Sequence, residues 1–404
     1  MKRKILAATF SLMLTSCGKI GAVTNIDDIR RPSPAPSEVI HLSESSEISG
    51  YRPLNYERQK GIWLSYIDLA PMLEAETAEE FEVRFDKACE NIRELGCNTV
   101  YVHLRPFGDA VYESALYPKS DYICGEYDPL DIICDTAHGY DISVHGWINP
   151  LRLQTADRLS EIKGCQTAEW YASGDPAVQT VAGDEHLWLD PAYPEVRELI
   201  ADGAAEIAEN YDIDGIHYDD YFYPTTDPEF DAQCFAENGG GNTLEEWRTE
   251  NISQMCREIY QSVKAVNSDI EVGISPQGNI ENNYNFLYAD VARWCSEEGF
   301  CDRIIPQIYF GYDNAVKPFS STLAEWQEMS ANGSVKMTIG LAVYKIGNEQ
   351  EFTDKTGIIA QQIADCARCQ GVSLYTYSSL FGEGSDSERI IREKNAIMAE
   401  LNKY

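Results

Sequence analysis

Apolar and polar positions in residues 58–404 follow two periods in turn. Short apolar runs fall near 61–66, 98–105, 142–148, 213–218, 270–275, 303–309, 336–341 and 372–377, and a helical period follows each. Eight strand-then-helix units predict an α/β fold of the (β/α)8 barrel type. The segments leading into strands are short, as at Glu94-Leu95-Gly96 and His138-Gly139-Tyr140. Those after strands two, three and four are long, covering 106–128, 150–193 and 220–243. Long loops gathered at one end of a barrel mark the face that carries chemistry.

The fourth strand ends in Asp214-Gly-Ile-His-Tyr-Asp-Asp-Tyr-Phe-Tyr-Pro224, which sets Asp219 and Asp220 side by side among aromatic rings. Adjacent carboxylates repel, so one can stay protonated near neutrality, and sugar hydrolysis needs carboxyl groups in two protonation states. Carbohydrate is therefore the first substrate class to consider; the plainer alternative is two solvated aspartates before a loop. Inward phase supports the first. His103 and Arg105 share a face of strand two, His145, Trp147 and Asn149 of strand three, and His217, Asp219 and Tyr221 of strand four. Barrel layers are normally filled by Val, Ile and Leu, so this polarity argues for a site over a satisfied polar core. Arg105, the one cation of the set, either grips a substrate carboxylate or pairs with Asp219 or Asp220. Aromatics gather at the same mouth: Trp63, Trp147, Tyr221, Phe222, Tyr223, Tyr309, Phe310, Tyr312, Tyr344, Tyr375 and Tyr377. Any one ring belongs more often to a core, but their concentration after strands four and six suits sugar stacking.

The amino terminus changes the picture of where this happens. Lys2, Arg3 and Lys4 precede an apolar run from Ile5 to Leu14, and Leu14-Thr15-Ser16-Cys17 completes an export signal with a lipoprotein-type box over residues 1–17. Cleavage before Cys17 would leave a thiol to carry lipid, anchoring the exported chain to the outer face of an envelope membrane. Residues 18–57, with Pro32, Pro34, Pro36 and Pro53 among serines and acids, read as a flexible tether to a domain over 58–404.

Net charge is -34, and -37 once Lys2, Arg3 and Lys4 leave with the signal. Nucleic acid is thereby excluded as a partner and a neutral polymer suits better. Of 12 cysteines, removing Cys17 leaves eleven, an odd number without metal spacing; Cys366-Ala-Arg-Cys369 lacks the surroundings of a redox motif. No cofactor motif appears, neither a nucleotide-binding glycine loop nor a nucleophile elbow.

Ten ordered blocks then carry a family resemblance: Gly61-Ile-Trp-Leu-Ser65; Arg105-Pro-Phe-Gly-Asp-Ala-Val-Tyr112; Tyr117-Pro-Lys-Ser120; Asp128-Pro-Leu130; His145-Gly-Trp-Ile-Asn-Pro150; Leu189-Asp-Pro191 with Pro194-Glu-Val-Arg197; Asp214 to Pro224; Gly273-Ile-Ser-Pro276; Pro306-Gln-Ile-Tyr309; and Gly340-Leu-Ala-Val-Tyr-Lys-Ile-Gly347. From about Lys60 to Phe381 the chain resembles the glycosyl-hydrolase-like 10 family of bacterial envelope proteins. The resemblance implies a (β/α)8 β-glycosidase acting on wall glycan without stem peptides. Gln277 and Phe310 depart from it, standing where similar proteins carry Phe and Trp.

Strands five to seven offer no acid at their ends, so both carboxylates are expected from strand four. Such a pair resembles hexosaminidases whose substrate's own acetamido oxygen attacks the anomeric carbon, with Asp219 orienting the amide and Asp220 protonating the leaving oxygen. Asp313, Glu383 and Glu113 are alternative partners for a two-carboxylate mechanism. Arg105, Trp147, Asn149, His217, Tyr221, Tyr223, Gln307, Tyr309 and Tyr344 are the expected substrate-binding residues, for a cell-wall or other N-acetylated polysaccharide. Two other classes stay open: a metal hydrolase using His103, His145 and His217, and a non-catalytic glycan-binding lipoprotein.

Overall fold

A computed structural model describes residues 51–404 apart from Asn332. The export signal, Cys17 and residues 18–50 of the expected tether lie outside the described residues. The last stretch of that tether is not loose: Tyr51 Oη and the Leu54 amide both donate to Asp214 Oδ1 at 2.5 Å. The Tyr56 hydroxyl donates to the Asp141 carbonyl at 2.7 Å, so residues 51–57 seal the amino-terminal end of the barrel.

Eight parallel strands close on themselves: β1 (Gln59–Leu64), β2 (Thr99–Arg105), β3 (Ser143–Ile148), β4 (Gly215–Tyr218), β5 (Glu271–Ile274), β6 (Arg303–Ile304), β7 (Lys336–Ala342) and β8 (Gly371–Tyr375). Each pairs with its sequence neighbour, and β1 closes the ring on β8 from Gln59↔Gly371 to Ile62↔Leu374. The (β/α)8 expectation is met. The helix Ala78–Leu95 shows why the outer ring forms. Thr77 caps it by accepting from the Glu80 amide, Gly96 ends it at φ 95°, and Phe81, Phe85, Cys89 and Ile92 bury one stripe.

Two departures from the expected elements have local causes. Strand β6 stops at Ile304 rather than 309, because Pro306 has no N–H to donate; pairing resumes only as isolated bridges from Gln307 to Gln277 and Gly340. The loop 150–193 is not irregular: Arg152–Thr155, Val178–Thr180 and His186–Leu189 form a small antiparallel sheet with the last of them in the middle.

The barrel interior is layered and polar. In the lowest layer Glu271 accepts from Gln59 Nε2 at 2.7 Å and from Arg303 Nε at 2.7 Å, while Arg303 also donates to Thr338. Above it Trp63 Nε1 donates to His217 Nε2 at 3.0 Å beside Tyr101. Glycines make room for these rings: a Cβ on Gly61 would lie 2.6 Å from the Tyr101 ring. All eleven cysteines among the described residues are free thiols, and only Cys124 is exposed.

Candidate active site

The top layer of the barrel opens into a pocket of about 150 Å³ at the carboxyl ends of the strands. Asp219 and Asp220 follow directly on β4 and lie at its floor and wall. Trp63 and Ser65 enter from β1, His103 from β2, Trp147 and Asn149 from β3, Gln307 and Tyr309 from the segment after β6, and Tyr375 from β8. Tyr66 and Tyr221 complete the wall.

Each wall residue is held by an identifiable device. His103 lies flat on Trp147, rings 3.6 Å apart and 10° from parallel. Tyr309 stacks on Tyr375 at 5.8 Å, and Tyr344 meets both edge-on from outside the pocket. The small antiparallel sheet buttresses Tyr221: Trp188 stacks on its ring, and Arg152 Nη1 donates to its hydroxyl at 3.3 Å. Tyr66 is fixed because Ser65 and Asp68 form a capping box at the start of its helix. Asp68 also accepts from Thr376 Oγ1 and the Ser378 amide, tying the end of β1 to the end of β8 beside Tyr375.

The two carboxyl groups differ. Asp219 is buried, with Oδ1 lacking any protein partner; burial, then repulsion from Asp220, pushes its pKa well above the carboxylate range. The nearby Trp147 indole N–H opposes that rise without reaching good hydrogen-bond geometry. Burial raises Asp220 too, against the stabilising pull of Gln277 and Gln307. Gln307 Nε2 donates to Asp220 Oδ1 at 3.1 Å and to the Ser275 carbonyl at 3.0 Å. Both nitrogens of His103, whose imidazole burial keeps neutral, also lack good partners, as does Asn149 Oδ1. Unpaired buried polar atoms facing a pocket are capacity for a hydroxyl-rich ligand.

Several expected site residues stand elsewhere. Arg105 leaves the inward face because β2 carries a bulge, with His103 opposite Trp147 but Arg105 opposite Ile148. Its guanidinium lies 4.2 Å over the Tyr117 ring and against Gly203, in the barrel-to-helix layer, far from pairing with the aspartates. His217 belongs to the layer below the pocket, where it holds Trp63. Tyr223 is core, between Phe230, Tyr288 and Arg248. Tyr344 supports Tyr309 and Tyr375 without lining the pocket. The three barrel histidines sit at different depths, and no group of three or more His, Cys, Asp or Glu among the described residues could hold a metal ion. Asp313 is ion-paired to Lys355 on the surface, Glu113 is exposed, and Glu383 lines a separate cavity, so Asp219 and Asp220 are the carboxyl groups of this pocket. Ser65 and Tyr66 were not among the expected site residues, although they close the first predicted strand (61–66), the strand-end position that marked the others.

A carboxyl pair at the floor and wall of an aromatic pocket, on the carboxyl-end face of a (β/α)8 barrel, is the arrangement of a barrel glycoside hydrolase. The chain belongs to the glycosyl hydrolase-like 10 family, whose model matches residues 58–356. It is 31% identical to glycosyl hydrolase YngK of Bacillus subtilis over 67% of this chain, which spans only 58% of that relative's length. It is 27% identical to glycosyl hydrolase DigH of Escherichia coli K12, covering 87% of this chain and 85% of DigH. Among solved structures, the glycoside hydrolase domain of PgaB (BpsB) from Bordetella bronchiseptica superposes with a TM-score of 0.59 at 11% identity, over 86% of this chain and 99% of that one. The catalytic domain of Paenibacillus polymyxa β-amylase gives 0.55 at 11% identity, over 85% and 98%. At such identities these structures bear on the fold alone.

Proposed function

We propose that this protein hydrolyses β-linked N-acetylated glycan, with stem-peptide-free peptidoglycan strands as its substrate, through the acetamido group of the sugar bound between Asp219 and Asp220. The observation that carries the reading is the depth difference within the pair. Asp219 is buried at the pocket floor, whereas Asp220 stands at the junction between the pocket and an open groove that shares Asp220, Gln307 and Tyr309 with it. A group that protonates a glycosidic oxygen belongs at such a junction, between the sugar being cleaved and the sugar that leaves. A group that orients an acetamide belongs at the floor.

The steps follow. Asp219 accepts the acetamide N–H, the carbonyl oxygen attacks the anomeric carbon, and the glycosidic bond breaks. The departing electron pair stays on the leaving oxygen, which takes the proton of Asp220. Water then attacks the anomeric carbon of the cyclised intermediate, returns a proton to Asp220 and reopens the ring with net retention. In the empty site the pair's proton favours Asp219. An amide N–H donated to Asp219 stabilises its ionised form and moves that proton to Asp220, where it is needed.

The same reading has the chain exported and lipid-anchored through Cys17 to an envelope membrane, so that it meets wall glycan directly. Palmitate labelling that persists in Cys17→Ala would rule out Cys17 as the anchor. For the reaction, mass spectrometry of products from stem-free strands, intact peptidoglycan and N-acetylglucosamine oligomers tests the substrate. New reducing ends chiefly from the stem-free strands are expected, and no products from any of the three would leave a glycan-binding protein.

A further inference from the structure

Beyond Asp220 the pocket continues into a groove of about 440 Å³, more open than the pocket itself. Its chemistry differs from the aromatic floor: carboxamides line it, among them Asn282 and Asn314, with Phe310 as an apolar patch. Asn314 Oδ1 accepts from the Val316 amide at 3.0 Å and the Lys317 amide at 2.9 Å, which fixes the turn that carries Lys317. Among the described residues lining the pocket and the groove, Lys317 is the only lysine or arginine.

Lys317 is partly buried and engages one acid, Glu325, at 3.2 Å; Glu325 is largely outside, with 44% of its side chain exposed. An ammonium has three donors, so this pair leaves capacity for a second anion. The chain is otherwise strongly acidic, and an anionic substrate would be repelled unless a local cation met it.

We propose that this groove is the leaving-group subsite and that Lys317 selects glycan carrying a carboxylate on the sugar seated there. The proposal rests on the glycosidase reading above and adds what the leaving side recognises. Muramic acid without its stem peptide bears such a carboxylate on its lactyl ether, whereas an attached peptide converts it to an amide. Carboxamides would take the neutral hydroxyl and acetamido groups, and Lys317 the one charge. This role falls to Lys317 because Arg105 faces the outer helices.

The test compares kcat/KM of the full-length protein, Lys317→Gln and Lys317→Arg on stem-free muramic-acid-containing strands and on neutral N-acetylglucosamine oligomers. The wild type should favour the carboxylated strands, Lys317→Gln should narrow that ratio by roughly tenfold or more, the scale of one charge-assisted hydrogen bond, and Lys317→Arg should retain most of it. An unchanged ratio in Lys317→Gln overturns the assignment, as does a wild type without preference. Turnover of neither substrate by the wild type instead brings down the underlying glycosidase reading, which separates the two failures.

Discussion

Replacing each aspartate by asparagine separates the two roles, because the side chain keeps its shape and loses its carboxyl acid–base chemistry. Asp220→Asn removes the proton donor at the junction. A positioned acid contributes about 10²- to 10⁴-fold, equivalent to roughly 2.7 to 5.5 kcal/mol of barrier. The loss should depend on the leaving group, since 4-nitrophenolate departs without being protonated. On 4-nitrophenyl N-acetyl-β-glucosaminide Asp220→Asn should therefore recover most of the rate that it loses on glycan. Asp219→Asn weakens the attack itself and should be equally slow on both substrates. Structure favours a clean comparison: Asp220 accepts one 3.1 Å bond from Gln307, which an asparagine oxygen can still accept, and Asp219 Oδ1 has no protein partner to lose. Steady-state kcat/KM on the two substrates, with circular dichroism to verify folding, is the assay. Aryl rescue in Asp219→Asn but not in Asp220→Asn would reverse the roles, and near wild-type rates in both variants would refute the pair as catalytic.

Two further predictions concern buried residues outside the pocket. Burial pushes Asp190 up to about 7, so its proton is held more tightly in the folded chain than in the unfolded one. Its contribution to stability is complete below the unfolded pKa and is lost as pH rises from about 4 through about 7, by up to about 4 kcal/mol. Asp190→Asn should raise Tm at pH 8 and scarcely change it at pH 4, and equal shifts at both would contradict the assignment. Arg105→Gln should cost stability, about 2 kcal/mol for the buried cation on Tyr117, while leaving kcat/KM within about twofold. A selective loss on carboxylated glycan would return Arg105 to the substrate.

Much of the fold was readable because strand and helix periods differ and a parallel barrel repeats them eight times. All eight barrel strands lie within or against the expected runs, the sixth stopping early at Ile304. What failed were extrapolations of the two-residue period. One bulge between His103 and Arg105 turned the only cation outward, and nothing in the sequence announces a bulge. Depth was equally invisible: His103, His145 and His217 share an inward phase, but strand stagger sets them in different layers, so only His103 reaches the pocket. Tyr223 illustrates the ambiguity of aromatics, sharing a phase with Tyr221 and ending in the core against Arg248. The aspartate pair stood out as two adjacent carboxyl groups among aromatic rings at a predicted strand's end, and both line the pocket. The groove with Lys317 was not, since its residues come from the loops after β5 and β6 and meet only in the folded chain.

Whether the substrate's acetamido group is the nucleophile between Asp219 and Asp220 is decided by proton NMR of the first product formed from a β-linked N-acetylated oligosaccharide. Net retention predicts that the new reducing end appears as the β-anomer and only then mutarotates. An α-anomer appearing first would mean direct attack by water, and the acetamido group could not then be the nucleophile.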